Sequence, residues 1–232
     1  MKLSSYFLTL SLLVTSQAFS MNVLLKSQNQ TIYAATSQEA ISATQAKHKK
    51  VFTLIGFSAK GYEKAQDVET QLRRELGKKD NKNTIINVGA TEVGIGMAYK
   101  IAKDLGFETM GIVSSLAIKD KDLTKDNPFA KHVDTIYVIK DETWGGIDPA
   151  TNKLSATSQA MIGVSSEVLG LGGDAVGRDE MIAAAQKSLA VIFYPTDMLH
   201  EVAKKKNISV KGLAEQSFES TPVKGITIEP RI

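Results

Sequence analysis

The chain has 232 residues, 43% hydrophobic and 23% charged, with a net charge of +3, which suits one α/β domain with ample core plus terminal extensions. That charge is too small to argue for nucleic acid, and the short lysine-rich stretches at 48–50, 78–79 and 204–206 read as solvated faces. With no cysteine, disulfides, a thiol nucleophile and Cys-ligated metals are excluded.

Lys2 precedes the apolar stretch Tyr6 to Val14, which is too short to span a bilayer. Small and polar residues follow, with Ala18 and Ser20 at the spacing of a signal-peptidase site. We read residues 1–20 as a cleavable secretory signal cut after Ser20, which makes the mature protein secreted or periplasmic. No further segment of membrane length appears, so no membrane association is expected after cleavage. Residues 21–50 are rich in Gln, Ser, Thr and Ala without a sustained period, and read as a polar, solvated extension. The folded domain is expected over 51–232.

From Val51 strands and helices alternate. Val51 to Ile55 reads as a first buried strand, followed by a turn with Gly56, Ser58, Lys60 and Gly61. Ala65, Val68, Leu72 and Leu76 give helical spacing over Tyr62 to Leu76, stopped by Gly77. Thr84 to Val88 is the second strand, and Gly94 to Leu105 the next helix. Strands follow at Glu108 to Val113, Thr135 to Ile139, Val168 to Leu171 and Leu189 to Tyr194. Residues 140–157 read as a loop carrying the sole Trp. Helical segments are expected near 197–206 and 210–218, with an edge strand at Gly225 to Ile228. This rhythm predicts an α/β fold: a single Rossmann-like domain with a mostly parallel sheet of six to seven strands and helices on both faces.

Two glycine-bearing bends carry the functional reading. Gly89-Ala90-Thr91-Glu92-Val93-Gly94 follows one apolar strand, and Gly172-Gly173-Asp174-Ala175-Val176-Gly177 follows another. A strand that ends in glycines and feeds a helix offers free N–H groups at the positive end of the helix dipole. Gly89, Thr91, Gly94, Gly172, Gly173 and Gly177 are therefore candidate phosphate-binding residues, with the Thr91 hydroxyl assisting. Arg178 could supply a fixed positive charge. Gly56, Ser58 and Lys60 border the same carboxyl edge of the sheet, as does Ser114, which ends the third strand with Ser115. Trp144, beside Gly145 and Gly146, reads as packing or as a lid that stacks on a base. Asp197 reads as a helix cap. His48, His132 and His200 are scattered, so no metal site is expected, and no Gly-x-Ser-x-Gly elbow or Lys-bearing phosphate loop is present.

Three stretches in order resemble the SLOG superfamily, which includes the LOG nucleotide phosphoribohydrolases once called lysine-decarboxylase-like. Val88-Gly89-Ala90-Thr91-Glu92-Val93-Gly94-Ile95-Gly96-Met97 keeps Gly89, Val93 and Gly94 at that family's spacing. Thr109-Met110-Gly111-Ile112-Val113 is similar to its next strand. Leu171-Gly172-Gly173-Asp174-Ala175-Val176-Gly177-Arg178-Asp179-Glu180 resembles its Pro-Gly-Gly-x-Gly-Thr-x-x-Glu signature, with one extra residue and without the Pro and Thr. The resemblance spans residues 51–196. It implies a small-molecule ligand, a nucleotide or nucleotide sugar, and assigns Glu180 as the catalytic candidate for hydrolysis of an N-glycosidic bond. The family's upstream Arg has no counterpart in Asn152 to Ser166. No separate cofactor is implied, and a homodimer is. The alternative is a ligand-sensing or protein-interaction module that keeps the pocket without chemistry.

Overall fold

The structure is a computed structural model that describes residues 21–58, 60–205, 218 and 222–232. Eleven strands and six α-helices alternate among the described residues. The strands are β1 (Asn22–Lys26), β2 (Thr31–Ala35), β3 (Lys50–Gly56), β4 (Thr84–Val88), β5 (Glu108–Ser114), β6 (Thr135–Ile139), β7 (Ile147–Asp148), β8 (Lys153–Leu154), β9 (Glu167–Leu171), β10 (Ala190–Tyr194) and β11 (Ile226–Ile228). The helices are α1 (Ser37–Gln45), α2 (Ala65–Gly77), α3 (Met97–Asp104), α4 (Ala156–Val164), α5 (Ala175–Gln186) and α6 (His200–Lys205).

Nine strands form one sheet in the order β1-β2-β6-β5-β4-β3-β9-β10-β11, and β7 and β8 form a small separate hairpin. Every pair in the large sheet is parallel except β1 with β2. Period-2 alternation places side chains on both faces. In β3, Phe52 and Leu54 face one core with α2, α3 and α6, while Val51 and Ile55 face a second core with α1, α4 and α5. Burial on both faces explains why β3, β4, β5 and β9 read as continuous apolar runs.

The chain winds outward from β3 in one direction through β4 and β5 to β6, then in the other through β9 and β10. The gap between β3 and β9 is therefore the topological switch point, where an open α/β sheet leaves a crevice beyond its carboxyl ends.

The expected α/β class holds, with the sheet wider than six to seven strands. Residues 21–50 are not a solvated lead-in. Ile32 and Ala40 are fully buried there, and β2 pairs with β6 in the register Ile32↔Ile136. A capping box starts α1, the Thr36 side chain accepting from the Glu39 N–H while Glu39 Oε2 accepts from the Thr36 N–H at 2.7 Å. The loop expected over 140–157 contains β7 and β8 and the first residues of α4. Helix α5 starts at Ala175, within the second glycine bend, so Gly177 is helical and Arg178 to Glu180 follow its first turn. Apart from Phe218, the helix expected near 210–218 lies outside the described residues, as do residues 1–20.

Candidate functional site

A cleft of about 630 Å³ opens over the carboxyl ends of β3, β4, β5 and β9, within the roughly 300–1,000 Å³ common for small-molecule sites. Its wall is mainly apolar, with Leu54, Ile55, Ile95, Ile112, Phe129 and Met161 among the contributors, and a few polar groups converge on it. Of the candidates read from sequence, it gathers Gly56, Ser58, Lys60, Gly89, Thr91, Ser114, Gly177 and Glu180. The two glycine bends stand over β4 and β9, on either side of β3, and both reach this one hollow.

Gly94, Gly172, Gly173 and Arg178 do not line it. Gly94 forms an antiparallel bridge with Ser58 and so holds the loop after β3 in place. Gly172 and Gly173 turn the chain between β9 and α5, the N–H of Gly172 donating to the Tyr194 carbonyl at 3.0 Å. The Arg178 guanidinium lies over the Phe218 ring, 4.6 Å from its centroid, on the packing side of α5.

The two bends differ in what their N–H groups can do. After β4, two of the bend's N–H groups and that of the residue following it are already used. Ala90 N–H donates to the Tyr99 hydroxyl at 3.1 Å, Val93 N–H to Thr91 Oγ1 at 3.3 Å and Ile95 N–H to the Phe57 carbonyl at 2.9 Å. Glu92 is turned outward, its Oε1 accepting from the Lys131 N–H at 3.3 Å. After β9, Asp174 occupies the N-cap of α5 without any side-chain hydrogen bond to the helix. The first-turn N–H groups of Ala175, Val176 and Gly177 therefore keep their dipole facing the cleft without a cap. Gly177 fits there because an added Cβ would come within 2.7 Å of Ile55 Cγ2.

Lys60 crosses the cleft mouth to form an ion pair with Asp174. Only one Asp174 oxygen is satisfied, since Oδ1 is buried without a hydrogen-bond partner. The pair joins the loop after β3 to the start of α5 across the switch point.

Glu180 is the second charged feature. It is buried on the inward side of α5, and Ser158 Oγ of α4 donates to its Oε1 at 2.6 Å. Burial pushes its carboxyl up to about 7, the Ser158 hydrogen bond opposes that, and the neighbouring Asp179 charge adds to it. At neutral pH a large share of Glu180 is thus a neutral acid. Asp141, at the end of β6, goes the other way. Burial raises it, yet hydrogen bonds from Thr157 and Thr143 together hold it below the usual carboxylate range. It stays ionised and caps α4 by accepting from the Thr157 N–H at 2.7 Å. Ser114 and Ser115 tie β5 to β6, both donating to the Asp141 carbonyl, at 3.3 and 2.9 Å.

Sequence reading missed the contribution of α4. Thr157 and Met161 line the cleft, and Ser158 holds Glu180. The available signal was Ser155, which caps α4 by accepting from the Ser158 N–H. Asp174 and the apolar pair Pro128 and Phe129 were also missed. Among the described residues no group of three or more His, Cys, Asp or Glu could hold a metal ion, and no helix is long and apolar enough to cross a membrane.

Fold and cleft together define a doubly wound α/β protein with a small-molecule-sized site at its switch point. No family model matches the chain, and no curated protein matches it by sequence. Among solved structures, it is similar to the Moco carrier protein from Chlamydomonas reinhardtii, in two determinations. One is 17% identical over 78% of this chain and 88% of that one, with a TM-score of 0.46. The other is 17% identical over 78% and 89%, with a TM-score of 0.44. It is also similar to the structural-genomics target TM1055, 14% identical over 78% of this chain and 92% of that one, with a TM-score of 0.46.

Proposed function

We propose that the cleft binds a nucleotide or related phospho-sugar, with the anionic group at the start of α5. The observation that carries this reading is the uncapped first turn of α5 at the switch point, with the Lys60 ammonium beside it. The anion takes over Lys60 from Asp174, so the lysine exchanges one anionic partner for another while the Asp174 side chain, 37% exposed, is left to water. Glu180 on the same wall is partly protonated at neutral pH, which lessens the repulsion a carboxylate would exert on the incoming phosphate.

The test is thermal stabilisation by ribose 5-phosphate and nucleoside monophosphates, with a shift that scales as RT ln(1 + [L]/Kd). Lys60→Ala is expected to weaken both about tenfold, the loss of one charge-assisted contact. Unchanged affinity in that variant would sink the assignment of the anion to this end of the cleft.

A second reading adds chemistry. A carboxyl near 7 suits proton donation to a departing base, as in N-glycosidic hydrolysis. Base release from nucleoside monophosphates, followed by chromatography and abolished in Glu180→Gln, separates a hydrolase from a binding or sensing module. Binding without release supports the module.

We also propose that the chain is exported, with the cut after Ser20. That position suits the fold, because β1 starts at Asn22 and a cut there leaves the folded domain whole. Sequencing the N-terminus of the protein recovered from the medium or periplasm is expected to begin at Met21. Recovery only from the cell interior, with Met1 retained, would refute export.

A further inference from the structure

Trp144 is 64% exposed, the most exposed of the large hydrophobic residues among those described, although it lines the cleft. Its backbone is held on both sides. Before it, Thr143 donates through N–H and Oγ1 to Asp141 Oδ1, both at 2.9 Å. After it, the Gly146 N–H donates to Ser158 Oγ at 2.8 Å and the Ile147 N–H to Asp179 Oδ2 at 2.9 Å. Gly145 lets this segment lie against α5 and α4, since an added Cβ would stand 2.9 Å from Val176 Cγ1 and 3.0 Å from Ser158 Oγ. The chain thus spends five hydrogen bonds' worth of anchoring, counting the 3.3 Å contact from Gly145 N–H to Thr143 Oγ1, on a segment whose indole remains in solvent.

A packing tryptophan would be covered, and a solvated loop would not be anchored. An indole held over a cleft whose wall also carries Pro128, Phe129 and Val176 has the form of a stacking platform for a flat ring. The same cleft carries the polar groups Ser58 and Lys60 from the loop after β3. Its lining therefore matches a ligand that has both an anionic group and a planar ring.

We infer that Trp144 is a specificity-determining residue that stacks on the planar heteroaromatic ring of the ligand, which selects nucleotides over sugar phosphates that lack a base. This rests on the reading that the cleft takes a phospho-sugar. Because Trp144 is the sole tryptophan of the chain, fluorescence excited at the red edge of the indole band, beyond tyrosine absorption, reports on this residue alone.

The experiment uses the full chain with the four common ribonucleoside 5′-monophosphates and, as the base-free probe, ribose 5-phosphate. Nucleotides are expected to quench the emission saturably and raise the melting temperature, while ribose 5-phosphate raises it without quenching. Trp144→Ala is expected to weaken nucleotide binding about tenfold, the scale of one base–aromatic stack, with ribose 5-phosphate unaffected. Trp144→Phe keeps a flat ring and is expected to retain most of the nucleotide affinity. Nucleotide stabilisation without quenching, and with equal affinity in Trp144→Ala, overturns the platform and leaves the phospho-sugar reading standing. A fall in Trp144→Phe as large as in Trp144→Ala also overturns stacking. Stabilisation by neither probe overturns both readings.

Discussion

Glu180→Gln is expected to make the protein more stable above pH 7 and to leave stability unchanged below pH 4. In the folded protein the Glu180 carboxyl titrates at about 7, against an ordinary value of 4.5. Between those two values the unfolded chain releases a proton here that the folded protein holds, so native stability falls as pH rises through that window. Above about 7 both states are ionised and the penalty is complete, on the order of 3 kcal/mol by the conversion of 1.36 kcal/mol per pKa unit. The Gln amide cannot ionise, yet its carbonyl still accepts from Ser158 Oγ in place of Oε1. Urea midpoints of the two proteins should therefore coincide at pH 4 and separate progressively up to pH 8. A constant difference across that range would mean that Glu180 titrates as an ordinary surface carboxylate. The same substitution removes the Glu180 proton from the cleft, so a gain in stability accompanied by lost turnover would mark Glu180 as a group whose burial is kept for chemistry.

Gly94→Ala is expected to cost about 4 kcal/mol, a large part of the 5–15 kcal/mol that holds an ordinary domain together. Gly94 has φ +67°, and an added Cβ would stand 1.8 Å from the Phe57 carbonyl oxygen and 2.2 Å from that of Lys60. Both obstacles are backbone, so nothing nearby can rotate away. Relief requires the loop after β3 to move, which displaces Ser58 and Lys60 from the cleft. Gly89→Ala in the same bend is the contrast. Its nearest obstacle is Ser58 Oγ at 3.8 Å and its φ is not positive, so a stability change below about 1 kcal/mol is expected. Denaturant midpoints decide. A small loss in Gly94→Ala would mean that the bridge between Gly94 and Ser58 does not hold the loop.

These two glycines show how far sequence could reach. The bend was legible, because a strand ending in glycines before an amphipathic helix is a strong pattern. Which glycine faces ligand and which faces backbone was not, since that depends on the Phe57 and Lys60 carbonyls of another strand's loop. The spent N–H of Ala90 was likewise hidden, because its acceptor is the Tyr99 hydroxyl on α3, which itself donates to the Met110 carbonyl at 3.0 Å. Strands β3 to β6, β9 and β10 were readable as apolar runs buried on both faces. β2 was not. Thr31 to Ala35 is short and set among Gln, Ser and Thr, and its burial comes from pairing with β6, far along the chain. The role of α4 was obscured in the same way, since Ser158 gains importance only through Glu180 of α5.

The outer strands of the sheet bear on how the protein behaves when concentrated. β1 carries an irregularity between Val23 and Leu25, and β11 on the far side has three residues. A kinked border and a stub both make poor templates for a neighbour's strand, which keeps such sheets from growing molecule by molecule into fibres.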